Sequence, residues 1–94
     1  VRITTDISIK PHAHFNLNTT IGHDCNIGEF FTASPGVHLS GNCIIGNSVY
    51  LGTNSCIKEK IVITDNVIVG MGSVVVKPID MPGVYVGSPA KLRS

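Results

Sequence analysis

The sequence predicts an all-β protein, a three-sided parallel solenoid, and three periodic features of its 94 residues carry this prediction. An apolar residue stands at every sixth position from Ile3 to Val75, and the register never breaks. A mostly small or aliphatic residue follows each of these by four positions, and a turn-forming residue often follows by three. Such strict repetition is typical of solenoids, in which each unit buries its apolar face against its neighbours.

Each periodic feature has a physical reason. The two apolar positions give every six-residue unit one large and one smaller inward side chain, as expected for short strands whose side chains alternate between faces. Asn, Asp or Gly occupies eight of the twelve positions in the series from Asp6 to Gly72, and these residues best tolerate a positive φ. The unit is therefore a short strand followed by a sharp corner. Three such units make one coil of a triangular prism, so about four coils are predicted.

The repeat predicts two regions, a hexapeptide-repeat β-helix over residues 1–76 and a short tail over residues 77–94. The tail lacks the period, holds a short apolar strand at Val84 to Val86, and is punctuated by Pro78, Pro82, Gly83 and Pro89. The open end of a β-solenoid is an exposed edge that must be covered. We therefore expect the tail to be a C-terminal cap.

Composition excludes several classes of function. A net charge of +1 is no electrostatic footprint for nucleic acid. The sequence shows no secretory segment, long apolar run or lipidation motif, so a soluble cytoplasmic protein without membrane contact is expected. Cys25 and Cys43 are separated by three whole repeat units and should stack on adjacent coils, as buried free thiols rather than as a disulfide. A solenoid this short buries little surface, which favours oligomerisation.

Four histidines raise the alternative of a zinc site of the kind found in solenoid carbonic anhydrases, which needs three imidazoles on one ion. His12, His14, His23 and His38 fall at four different positions of the coil, so no metal site is expected. His23 is followed by Asp24, and a neutral imidazole beside a carboxylate is suited to general-base chemistry. Asp24 also occupies a corner position, so a purely backbone role for it remains an alternative.

Two segments carry a resemblance to a known family. The block Ile21-Gly22-His23-Asp24-Cys25-Asn26-Ile27-Gly28-Glu29-Phe30 and the closing run Val84-Tyr85-Val86-Gly87-Ser88-Pro89-Ala90-Lys91 are similar to left-handed β-helix acyltransferases of the sialic acid O-acetyltransferase and UDP-amino-sugar N-acetyltransferase type. The resemblance implies a left-handed solenoid and a homotrimer. It also implies acetyl-CoA, used as a co-substrate, in the groove between neighbouring solenoids.

The resemblance further implies catalytic roles for three residues. His23 would be the general base that takes a proton from the acceptor amine or hydroxyl, and Asp24 would raise its basicity. The acceptor would attack the thioester directly, without an acyl-enzyme. The main-chain amide of Gly41 would steady the developing oxyanion, a role with a sound electrostatic basis.

Four further positions are implied to bind ligands. Thr53 and Met71 would line the groove for the pantetheine arm, and Asn16 falls where relatives contact the acceptor. Thr32 occupies a cofactor-binding position at which relatives often carry a second histidine. The chain departs from the family there.

The function expected from these features is acetyl-CoA-dependent transfer of an acetyl group to an amine or hydroxyl of a sugar or nucleotide sugar. Such enzymes usually carry an N-terminal α/β domain that binds the sugar, and none precedes the repeat in these residues, which begin at Val1. A non-catalytic scaffold or transferase remnant is therefore the main alternative, and a zinc hydratase is a third. The identity of the acceptor and the choice between N- and O-acetylation stay open.

Overall fold

The computed structural model describes residues 1–93 and is an all-β solenoid of three sheets; Ser94, the last residue of the expected cap, lies outside the described residues. Fifteen short strands build it: β1 Arg2–Ile3, β2 Ser8–Ile9, β3 His14–Phe15, β4 Thr20–Ile21, β5 Asn26–Ile27, β6 Thr32–Ala33, β7 His38–Leu39, β8 Ile44–Ile45, β9 Tyr50–Leu51, β10 Cys56–Ile57, β11 Val62–Ile63, β12 Val67–Val69, β13 Val74–Val75, β14 Gly83–Val86 and β15 Lys91–Leu92. No helix among residues 1–93 is long and apolar enough to cross a membrane.

From β1 to β13, every third strand joins the same sheet. The first sheet has the order β1-β4-β7-β10-β13, the second β11-β8-β5-β2, and the third β15-β14-β12-β9-β6-β3. The pairs are parallel with a register of one coil, as in Ile21 opposite Leu39 and Ile57 opposite Val75. The coil of three repeat units predicted from the sequence is therefore confirmed through β13.

The interior of the prism is filled by the two apolar series. The sixth-position residues from Ile21 to Val75 are at most 3% exposed, and Phe31 and Val37 of the second series are fully buried. Ile3 and Ile9, on the lowest coil, are 42% and 37% exposed, because no coil packs beneath them in the structure. Burial of this apolar interior is the main stabilising contribution to the fold. Each coil adds a few inward side chains to it.

The corners adopt the predicted left-handed backbone conformation without exception. All twelve third positions have φ between 55° and 76°, including four where the residue is not Asn, Asp or Gly: His12, Phe30, Ser48 and Lys60. Left-handed φ costs most residues about 1–2 kcal/mol, so the stacked coils on either side must impose it at those four corners. Stacking of the coils thus sets the φ of the corner residues, and Asn, Asp or Gly at the other eight corners lowers the cost of that φ.

The upper end differs from the prediction of about four coils. The first sheet holds five strands, and β14 adds to the third sheet beside β12, so the solenoid continues into a fifth coil. That coil is shorter than three repeat units, because Val67 pairs with Gly83 and Ile63 bridges Ile79. The six-residue count therefore fails there while the stacking continues. β15 then runs antiparallel to β14 along the outer edge of the third sheet.

Candidate active site

His23 and Asp24 lie together at the corner between β4 and β5. Nδ1 of His23 is 2.9 Å from Oδ2 of Asp24, and both side chains are more than half exposed. Neighbouring residues on a straight strand point to opposite faces, so this contact requires the corner. Asp24 supplies it with a φ of 58°, which swings its carboxylate to the same side as the imidazole.

Asp24 therefore serves the backbone and the imidazole at once. Its φ is that of a corner residue, which was the purely structural alternative, and its carboxylate also meets His23. With Nδ1–H donated to the carboxylate, the neutral imidazole carries its lone pair on Nε2, which suits it to accept a proton.

Gly41 stands next to His23 on the coil above. An ideal Cβ built on Gly41 would lie 3.0 Å from Nε2 and 3.2 Å from Cε1 of the imidazole, so the ring passes directly over this glycine. The Gly41 amide donates no hydrogen bond within residues 1–93. An unpaired N–H and a proton-accepting nitrogen thus share one small region of the surface.

Backbone contacts from both adjoining coils hold the corner in place. The Asn42 amide donates to the His23 carbonyl at 2.8 Å, and the Asp24 amide donates to the Thr5 carbonyl at 3.1 Å. The Cys25 thiol donates to the Ser40 carbonyl at 3.2 Å from the interior. These bonds fix the main chain on both sides of His23, so the imidazole projects from a rigid support.

The other predicted site residues lie elsewhere on the prism. Thr32 is half-buried in β6, in the third sheet, between His14 and Tyr50 in register. Asn16, Thr53 and Met71 belong to the corner between the third and first sheets. One chain therefore brings His23, Asp24 and Gly41 together but does not bring the other four predicted residues to them.

Asn16 and Met71 differ in how free their side chains are. The Asn16 amide Nδ2 donates to the Ala33 carbonyl at 2.9 Å, which ties this side chain to the coil above it. Met71 is 79% exposed and offers an apolar surface to solvent.

The remaining histidines make separate local contacts. His12 stacks on Phe30 with ring centroids 4.8 Å apart, and Nδ1 of His38 lies 2.7 Å from Oγ1 of Thr20. Within residues 1–93 there is no group of three or more His, Cys, Asp or Glu side chains placed to hold a metal ion.

The cysteines stack as predicted. Cys25 and Cys43 are buried free thiols on adjacent coils, and Cys56 is half-buried. Burial raises the pKa of the Cys43 thiol to about 11, against the partial compensation of backbone hydrogen bonds. Cys43 is therefore a neutral interior group at physiological pH, unsuited to act as a nucleophile.

Sequence reasoning missed one surface feature beside this corner, a depression on the outer face of the second sheet. It has a volume of about 250 Å³ and is bordered by Lys10, Asn26 and Asn47, with Gly28 and Gly46 in it. The available signal was the pair of glycines one coil apart, directly above Lys10 in the same column.

Comparisons with known proteins agree with the fold. No protein-family model matches the chain. GDP-perosamine N-acetyltransferase of Escherichia coli O157:H7 is 34% identical over 59 residues, which is 63% of this chain and 27% of that protein. The structure of WeeI from Acinetobacter baumannii AYE matches with a TM-score of 0.91 and 36% identity, covering 95% of this chain and 44% of WeeI.

A third match has a ligand in its structure. The acetyltransferase domain of PglB from Neisseria gonorrhoeae FA1090, in complex with acetyl coenzyme A, matches with a TM-score of 0.81 and 27% identity over 97% of this chain and 57% of that one. The chain thus spans between about a quarter and rather more than half of the proteins it matches. Its repeat, its stacked coils and these similarities show that the chain belongs to the hexapeptide-repeat, left-handed β-helix acyltransferases.

Proposed function

We propose that the protein transfers an acetyl group from acetyl-CoA to an amine or hydroxyl of a sugar or nucleotide sugar. The observation that carries the proposal is the His23–Asp24 pair, whose imidazole lies over Gly41 with Nε2 free to accept a proton. The named activity of GDP-perosamine N-acetyltransferase and the acetyl coenzyme A in the PglB structure support the choice of donor and acceptor class.

His23 acts as the general base in the proposed reaction. Nε2 takes the proton of the acceptor amine or hydroxyl as its nitrogen or oxygen attacks the thioester carbonyl. The resulting imidazolium is stabilised by Asp24, which accepts the Nδ1–H hydrogen bond. Collapse of the tetrahedral adduct breaks the C–S bond, and the proton held by His23 passes to the departing thiolate of coenzyme A. No protein nucleophile is needed, in keeping with the buried, neutral thiol of Cys43.

Gly41 contributes through its main chain. Its unpaired amide donates to the carbonyl oxygen as negative charge develops there, and the absence of a side chain leaves room for the imidazole and the acetyl group. Removing a donor of this kind typically costs about 100-fold to 1,000-fold in rate.

The binding groove is proposed to form between copies of the chain in a homotrimer. His23 and the three residues Asn16, Thr53 and Met71 lie at two different corners of one prism, so a groove lined by both sets requires a neighbouring copy. Exposed Met71 and half-buried Thr53 supply a wall for the pantetheine arm, with Thr32 as a further contact. Asn16 is proposed to face the acceptor.

Two measurements on the protein test this function. Isothermal titration with acetyl-CoA should give saturable binding near one site per chain. With an amino-sugar or nucleotide amino-sugar panel, coenzyme A release should be abolished in His23→Ala and retained in His14→Ala, whose imidazole is exposed on the third sheet.

Two results decide between the alternatives. Absence of acetyl-CoA binding would favour the scaffold function, and full activity of His23→Ala would refute the assigned base. Sedimentation equilibrium of the wild type and both variants separates loss of chemistry from loss of the trimer.

A further inference from the structure

The depression on the second sheet has a floor fixed by the fold. An ideal Cβ on Gly28 would lie 2.5 Å from Oδ1 of Asn47 and 2.6 Å from the Gly46 carbonyl oxygen, so no side chain fits at Gly28 without displacing the coil above. Ile44, 51% exposed, forms an apolar wall of the same depression. The main chain of the stacked coils therefore sets the floor at Gly28, and the Lys10, Ile44 and Asn47 side chains form the border.

The polar groups around this floor are free to bind. Lys10 is the only ionisable residue that lines the depression, and it forms no ion pair with any carboxylate in residues 1–93. The Asn26 side chain makes no hydrogen bond in the same part of the chain, and Asn47 uses only Oδ1, which accepts from the Glu29 amide at 2.9 Å. One cation and two amide groups with donors to spare line the depression, and the Asp65 carboxylate, which accepts from the Asn47 amide at 2.6 Å, lies at its upper edge beside Gly46.

The depression begins beside the candidate base. Asn26, the first residue of β5, comes two residues after Asp24, and Gly28 directly follows that strand, so the depression extends from the His23–Asp24 corner along β5. Lys10 lies one strand below Gly28, and its flexible side chain can reach back toward Asn26. A ligand with its nucleophile at His23 would therefore carry its charged end over this depression.

From this arrangement we infer that the depression is an acceptor subsite for the anionic group, a phosphate or carboxylate, carried by the sugar. The inference rests on the proposed function. Lys10 supplies the charge, the Asn26 and Asn47 amides donate to the anion's oxygens, and Ile44 packs against the apolar face of the ring. A volume of about 250 Å³ is below the roughly 300–1,000 Å³ of pockets for whole drug-sized ligands, so it suits one ring or one anionic group.

The test uses ¹⁵N-labelled protein and two probes, α-D-glucose 1-phosphate and the neutral methyl α-D-glucoside. The sugar phosphate is expected to shift the Gly28, Gly46 and Asn26 amide signals saturably, and the neutral glucoside is not. Lys10→Gln should weaken binding of the phosphate at least about tenfold, whereas Lys10→Arg should retain it because the charge remains. Lys58→Gln, at an exposed lysine directly after β10, is the matched control and should bind as the wild type does.

Two results would overturn the inference. One is the absence of shifts at these amides, or shifts that Lys10→Gln leaves unchanged. The other is a pair of findings: coenzyme A displaces the sugar phosphate, and Lys10→Gln binds coenzyme A more weakly than the wild type. That pair would show that the depression binds a phosphate of coenzyme A and not the anionic group of the sugar. Acetyl-CoA titration of the wild type separates the two proposals: Lys10-dependent sugar phosphate binding without any acetyl-CoA binding would refute the transferase function and retain the sugar subsite.

Discussion

The imidazole of His23 lies so close over Gly41 that a single added methyl group at Gly41 would come within 3.0 Å of Nε2. The two residues are separated by three repeat units and occupy the same column on neighbouring coils. Contact between them follows from the stacking itself, and it makes the identity of residue 41 a condition for the position of the base.

Gly41→Ala is therefore expected to move the imidazole by a few tenths of an ångström and to lower the transfer rate by about tenfold or more. The new Cβ would also meet the His23 carbonyl at 3.2 Å, so a loss of stability of about 1 kcal/mol is expected. Urea unfolding and kcat measure the two effects. If the double variant His23→Ala/Gly41→Ala shows the full additive loss of stability, the imidazole is not the group displaced.

Asp24→Asn separates the two roles of residue 24. Asparagine tolerates a positive φ, so the corner and the fold should be preserved, with stability within about 0.5 kcal/mol of the wild type. The imidazolium formed in the reaction would lose its anionic partner, and kcat should fall by about tenfold or more. Asp24→Gly, which also suits the corner but keeps no hydrogen bond, should be at least as slow. Wild-type kcat in both variants would mean that the carboxylate serves the backbone alone.

Lys60→Asn should stabilise the protein, because Lys60 has a φ of 62° that asparagine adopts more readily. A gain of about 0.5–1 kcal/mol in the free energy of unfolding is expected from urea denaturation. Lys58→Asn is the matched control: it removes the same charge two residues away, where φ is not positive, and should give no gain. Equal effects of the two substitutions would attribute any change to charge.

Cys43 predicts a fall in stability at high pH. Its pKa is raised to about 11 in the folded protein from an ordinary 9.0, so between these values the unfolded chain loses the thiol proton first. Stability contributed by the neutral thiol is complete below pH 9 and declines as pH rises, by up to about 1.4 kcal/mol per pH unit.

Urea unfolding at pH 8, 9 and 10 should therefore show a steeper decline in the wild type than in Cys43→Ala. The variant is expected to be less stable at every pH because it leaves a small cavity, so the informative quantity is the slope and not the absolute value. Parallel slopes would show that the thiol ionises as readily folded as unfolded.

Most of the fold was predictable because a six-residue period controls both burial and corners. Ile21, Leu39 and Ile57 could be placed in one inward column from their spacing alone, and the parallel registers agree. The corners at Phe30 and Lys60 were harder, since neither residue prefers a positive φ; the coils on either side impose it. The shorter last coil escaped prediction because strand pairing at Gly83 persists after the side-chain period has ended.

The site was predictable in part. Their adjacency in the sequence could suggest His23 and Asp24 as a base and its carboxylate partner. Only the corner geometry brings the carboxylate to Nδ1. The contact between Gly41 and the His23 imidazole follows from the coil length, because the two residues are one coil apart. Thr53 and Met71 fall at another corner, where a single chain offers no contact to His23. The Lys10 depression needed coordinates, because its border combines residues from three successive coils.

The constant length of the coil also makes the surface a lattice of fixed dimensions. Residues one coil apart on any face are neighbours about 4.8 Å apart along the axis, and the columns they form are straight through β13. Side chains substituted into one column, such as that of Thr20, His38 and Cys56, would therefore be spaced by one coil from each other. Adding a whole coil would lengthen the array by one row and leave every existing row where it stands.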